Sequence, residues 1–170
     1  MPPLARPPLV AVAILSLAIC FAAGAADGTD LHRLWDSACA DCHGHSAEFS
    51  RRFLEARDGR LLGRHHRKDL LQFMHRHYLR ADAVDAVYDM LLAQAQTPPR
   101  FREECSACHG GAAELLRASD VRWLGDSLRL GSGLGMREFL QGHRGLLAAD
   151  VDFYQSLFER IAAEIGRPPG

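Results

Sequence analysis

Cys39-Ala40-Asp41-Cys42-His43 and Cys105-Ser106-Ala107-Cys108-His109 are two copies of one pattern, 66 residues apart. Cys-x-x-Cys-His is the attachment signature of c-type haem. The two thiols add across the haem vinyl groups, and the adjacent imidazole ligates the iron. The motifs therefore predict two haem c groups, held through Cys39, Cys42, Cys105 and Cys108, with His43 and His109 as proximal ligands. A structural zinc site would use closer ligand spacings. A thioredoxin-like dithiol would sit in a βαβ context, and no strand is expected here. Neither alternative accounts for the His after each second Cys.

Haem iron in electron-transfer proteins usually carries a second axial ligand, Met or His. The offset of 66 helps to choose it. Phe73 pairs with Phe139 at that offset, His77 with His143, Tyr88 with Tyr154, Leu91 with Leu157 and Gly59 with Gly125, with no gap needed. Leu70, Phe73, Met74 and His77 follow the i, i+3, i+4, i+7 spacing, as do Met136, Phe139, Leu140 and His143. This puts each His on the apolar face of a helix, open to a buried crevice. His77 and His143 are the predicted distal ligands. Met74 or Met90 in the first half, and Met136 in the second, are the alternatives.

The chain has 170 residues and a formal net charge of −1, which gives no reason to expect nucleic acid as a partner. Arg6 is the only charge before Asp27, and Leu9 to Ala23 is almost wholly apolar. Small residues follow at 23–26. Residues 1–26 therefore read as a cleaved secretory signal peptide, and the apolar run is short for a membrane anchor. Export predicts a periplasmic protein with no membrane span in its mature chain. Removing Cys20 with the signal leaves four cysteines, all in the two motifs.

Helical patterns fall in 27–45 (from Asp30), in 46–66 (around Phe49, Phe53 and Leu54), and over 67–79 and 82–96, then 101–108, 112–117, 136–143 and 150–165. Asp30 is a candidate N-cap. Asp58-Gly59 reads as a break, and 125–135 as a Gly-rich loop. Thr97-Pro98-Pro99 stops the fourth pattern, because proline cannot continue a helix. The expected organisation is all-α, with one small domain over 27–98 and another over 99–170. Each has about 70 residues, near the lower limit for a self-sufficient core, so a cofactor would form much of it. Leu34, Trp35, Phe73, Val87, Tyr88 and Leu91 are expected to pack on the first. Phe101, Leu116, Phe139, Tyr154, Leu157 and Phe158 are expected to pack on the second.

Nine basic residues fall between Arg51 and Arg80, opposed only by Glu55, Asp58 and Asp69. Such a stretch is a solvated face or a docking surface that steers an acidic redox partner. His65, His66 and His75 have no counterparts at the offset of 66 and are expected to face solvent, as are His32 and His45.

On the two Cys-x-x-Cys-His motifs, each preceded by one helical segment and followed by a longer terminal one, the chain resembles the class I c-type cytochromes in tandem dihaem form. The likeness extends over about 27–166. It implies a small helical fold around each haem and electron transfer between redox partner proteins, not catalysis. Common single-haem members carry a distal Met. His77 and His143 depart from that pattern and imply lower reduction potentials. A haem peroxidase or other haem oxidoreductase, or a ligand-sensing haem protein, is the alternative, and would need an open coordination position.

Overall fold

A computed structural model describes residues 28–64, 70–77 and 79–166. The signal-peptide reading of 1–26, and His65 and His66, lie outside the described residues. The chain is mostly helical. The expectation of a purely α fold is corrected by two antiparallel β-hairpins.

The first half begins with α1 (Leu31–Ala38). The Asp30 carboxylate caps it by accepting from the Arg33 N–H at 2.9 Å. Next come α2 (Ala40–His43), α3 (Ser46–Phe53), strands β1 (Leu54–Arg57) and β2 (Arg60–Gly63), the single turn α4 (Leu71–Met74) and the long α5 (Ala81–Gln96). The second half runs through α6 (Arg100–Glu104), α7 (Ser106–His109), α8 (Ala112–Ala118), β3 (Val121–Leu124), β4 (Ser127–Leu130), α9 (Met136–Gly142) and α10 (Ala148–Glu164). Order and type of element repeat from one half to the other.

The hairpins have readable causes. Asp58 and Gly59 both take positive φ, 51° and 71°, as the two-residue type I′ turn between β1 and β2 requires. An Asp-Gly pair between apolar positions is a strong hairpin signal, not merely a helix stop. In the second half Val121 and Trp123 alternate with Arg122, and Leu128 and Leu130 with Arg129. That is the period of a half-buried strand. Leu54 and Leu61, and likewise Val121 and Leu128, point into the two cores.

The hairpins also correct the gapless offset of 66. Leu61 and Leu128 are the buried centres of β2 and β4, a separation of 67. Gly59 is the second residue of its turn, whereas Gly125 is the first of its own. The terminal helices are displaced in the same way: burial matches Val87 with Tyr154 and Leu91 with Phe158. The motifs keep 66, as do His77 and His143. Loops between rigid elements absorb single-residue insertions and deletions, so the register shifts twice and recovers once.

Two apolar clusters result. One gathers Trp35, Leu61, Val84, Val87 and Leu91; the other gathers Phe101, Leu116, Val151, Tyr154 and Phe158. Polar contacts join the halves. Asp30 accepts from Arg117 through both oxygens, at 2.7 and 3.0 Å, and His32 Nε2 meets Glu164 Oε2 at 2.8 Å. His32 is therefore not a surface residue: its ring lies between α1 and the end of α10. Arg102 and Glu48 form a further ion pair between the halves, beside that of Asp30 and Arg117.

Candidate functional site

The two motifs fold alike because the same backbone bonds recur. Cys39 N–H donates to Trp35 O and His43 N–H to Cys39 O, at 2.8 and 3.0 Å. Cys105 N–H donates to Phe101 O and His109 N–H to Cys105 O, at 2.9 and 3.1 Å. Cys39 (φ −126°, ψ −31°) and Cys105 (φ −123°, ψ −25°) break the helix at the same point. Each motif is thus a short helix, a one-residue break and a four-residue turn, not the end of one continuous helix. Gly44 and Gly110 then leave the turn at φ 68° and 65°, where a side chain would strain the backbone. Trp35 pins the first motif by donating its indole N–H to Gly44 O at 2.8 Å.

The distal histidines do not lie on helix faces as the periodicity suggests. α4 ends at Met74, and the chain tightens into a turn in which His77 N–H donates to Met74 O at 3.0 Å. His143 caps the C-terminus of α9, with its N–H donating to Leu140 O at 3.1 Å. Both backbones are thus held by an i to i−3 bond, the tighter geometry common at helix ends. Each ring stacks on the Phe four residues before it. Phe73 lies 4.7 Å from His77 at 28°, and Phe139 5.1 Å from His143 at 27°.

Tertiary structure then brings each motif His together with its candidate partner ring. The His43 and His77 centroids are 5.9 Å apart, and those of His109 and His143 5.8 Å. Two imidazoles ligating one metal ion from opposite sides, each nitrogen about 2 Å from the metal, have ring centres about 6 Å apart. Each pair has that separation. The pairs are 34 residues apart in sequence in both halves, and no local pattern could have placed them.

In the second half the pair opens on a cavity of about 540 Å³, within the range of cofactor pockets. Cys105, His109 and His143 line it, with Leu116, Phe139 and Phe158 among its apolar walls. Thiols, facing imidazoles and an apolar crevice are a donor set that fits a haem. Leu157, expected beside that cofactor, packs instead toward the junction of the halves. In the first half His43 packs at 6.0 Å from Trp35 and 4.7 Å from Phe49. Phe73, expected to be core, is 56% exposed and stacks on His77.

The methionine alternatives separate. Met90 and Met74 are buried in the first apolar cluster, and Met136 is buried in the second, where it also lines the cavity with His143. Among the described residues no three His, Cys, Asp or Glu side chains converge as a metal-holding group. Cys39, Cys42, Cys105 and Cys108 are free thiols, and Cys42 and Cys108 are exposed. Burial pushes the Cys39 thiol up. Burial, then the neighbouring His77, holds the His43 imidazole below its usual range, which favours the neutral form that binds metal.

Several arginines of the 51–80 stretch have local partners. Arg64 donates to Leu54 O and Arg51 O, Arg57 pairs with Glu55, and Arg80 with Asp82. His75 is exposed, as expected, and His45 caps α3 by accepting from Ala47 N–H. Among the described residues no helix is long and apolar enough to cross a membrane.

Sequence reasoning missed a polar group on the wall of the second cavity, Glu104 with Arg100, Tyr154 and Asp150. Its members are two i, i+4 pairs, Arg100 with Glu104 and Asp150 with Tyr154, that lie 50 residues apart and meet only in the fold. No family model, curated protein or solved structure matches this chain.

Proposed function

We propose that this chain is an exported electron carrier, a dihaem c-type cytochrome built from two tandem class I-like domains, 27–98 and 99–170. Cys39 and Cys42 would hold the first haem covalently, and Cys105 and Cys108 the second. His43 with His77, and His109 with His143, would be the axial ligands. The observation that carries this reading is the repeated separation of the two ring pairs, 5.9 and 5.8 Å, beside two Cys-x-x-Cys-His turns of one geometry.

The haem supplies one-electron chemistry when bound. The protein's own residues hold and shield it. Turns fixed by i to i−3 bonds present His77 and His143, and Phe73 and Phe139 orient those rings by stacking. Leu116 and Phe158 keep water from the second crevice. Little rearrangement is needed between oxidation states when the ligands are held this way. Bis-His ligation favours the ferric state relative to His–Met, so low-potential partners are expected. The Arg51–Arg80 region is the proposed docking face for an acidic redox partner. A signal peptide at 1–26 would deliver the chain to the periplasm.

Expression with the c-type maturation machinery tests the reading. Two haems per chain, retained under denaturing conditions and lost pairwise with the Cys39/Cys42 and Cys105/Cys108 substitutions, are expected. A matured chain without covalent haem overturns it. Carbon monoxide addition to the reduced protein separates a carrier from an enzyme or sensor: a six-coordinate carrier does not bind it, whereas an open iron does.

A further inference from the structure

The two sites share ligands and backbone geometry but differ in the charge beside them. Tyr154, 1% exposed, lines the second cavity and donates its hydroxyl to Glu104 Oε2 at 2.7 Å. Arg100 donates to both oxygens of the same carboxylate, at 2.7 and 3.0 Å, and to Asp150 Oδ1 at 2.7 Å. The Arg100 guanidinium also stands over the Phe153 and Tyr154 rings, at 4.8 and 5.3 Å. Glu104 directly precedes Cys105 and lines the same cavity. Arg144 adds a bond from its guanidinium to the Glu104 backbone oxygen at 3.2 Å.

The corresponding places in the first half are apolar. At the offset of the motif Arg100 and Glu104 match Leu34 and Ala38. In the register of the terminal helices Asp150, Phe153 and Tyr154 match Ala83, Ala86 and Val87. The network therefore belongs to one site alone. Arg100, Glu104 and Asp150 together carry one net negative charge, and Glu103 and Arg144, both at the cavity wall, offset each other, so the surroundings stay at one net negative charge.

Resting on the haem reading above, we infer that Glu104, clamped by Arg100 and Tyr154, is a positioning residue that sets the second haem's reduction potential below the first's. A fixed negative charge beside the cofactor favours its oxidised, more positive state. Tyr154 donates to that carboxylate and moderates its field. The matching positions of the first half, Leu34, Ala38, Ala83, Ala86 and Val87, carry no charge. One electron shared between the two sites would reside mainly on the first.

A potentiometric titration of the holoprotein with the two haems resolved spectroscopically is the test, applied to Glu104→Gln and Tyr154→Phe. Glu104→Gln should raise the second potential alone and change the equilibrium for sharing one electron between the sites by roughly three- to tenfold. Tyr154→Phe leaves the carboxylate less neutralised and should move the same potential the opposite way. A purely structural role would not give opposite signs. Unchanged potentials in Glu104→Gln, or equal movement of both haems, would overturn the inference. Absence of covalent haem from the unmutated chain would instead overturn the functional reading beneath it.

Discussion

His43 and His77 face each other at 5.9 Å across the first site, and the pair recurs as His109 and His143 at 5.8 Å. Each proximal ring is fixed by its Cys-x-x-Cys-His turn. Each distal ring is fixed by a helix-end turn and a stacked Phe. The separation is thus set by packing between elements, independently twice.

The distal assignment has a spectroscopic consequence. Low-temperature EPR of the ferric protein should show two bis-His haems. His77→Met and His143→Met should each convert one signal and leave the other. Unchanged axial-ligand signals in both variants would falsify the assignment. The charge-transfer band of Met-ligated ferric haem should be missing from the unmutated protein and should appear in any variant whose Met ligates.

The cofactor is expected to be a condition of folding. A cavity of about 540 Å³ in a half of about 70 residues leaves too little apolar contact for a stable core. The chain with all four motif cysteines changed to alanine should be largely unfolded. Far-ultraviolet circular dichroism during urea titration checks this: a compact form with a cooperative transition counts against it.

Tyr88 and Leu61 offer a test of the hairpin. The Leu61 N–H donates to the Tyr88 hydroxyl at 2.7 Å, and Leu61 is fully buried. Tyr88→Phe strands that N–H and should cost about 1–3 kcal/mol. Leu61→Ala removes core contacts and should cost about 2–5 kcal/mol. Denaturant unfolding of the holoprotein measures both, and equal stability of all three proteins would refute the hairpin packing.

Asp30 links a helix cap to the junction of the halves. Burial raises its carboxyl pKa, but the hydrogen bonds from Arg117 and the Arg33 N–H outweigh that and hold it below the usual carboxylate range. A lowered folded-state pKa stabilises the fold above the unfolded value, near 4, and that stabilisation is lost as pH falls through the folded value. Asp30→Asn keeps a capping oxygen but loses the charge. It should lower stability near neutral pH by about 1 kcal/mol. The gap from the unmutated protein should close on acidification below about pH 4. A pH-independent gap would mean that the ion pair contributes nothing.

Gly44 and Gly110 leave the two motif turns in a conformation that an L side chain resists. Alanine at either should cost about 1 kcal/mol and disturb the adjacent proximal His. At Gly110 the added Cβ would also meet the Glu114 carboxylate at 2.9 Å. Thermal unfolding with haem absorbance as the probe should report a loss in both variants, and unchanged stability in either would contradict the geometry.

Local chemistry made the helices legible. Asp30 is a cap in sequence and in structure, and Val84, Val87 and Leu91 form a stripe that any helix would bury. The hairpins were legible too, in Asp58-Gly59 and in the alternation of Val121 to Leu130, although a helical frame hides so short a signal. The Arg100–Glu104 pair is an i, i+4 contact, but the links that join it to Asp150 and Tyr154 were not legible, because they span 50 residues.

The amino-acid sequence by itself determined the two motif turns and the distal candidates. Cysteine spacing, a following His and a glycine are local facts with local geometry. Only the tertiary structure decided that His77 meets His43, and His143 meets His109, at one common separation. It also decided that the repeat is in register at the ligands yet one residue out at the hairpins and terminal helices. A sequence offset counts residues, whereas packing matches buried faces, and loops let the two differ by one without moving the site.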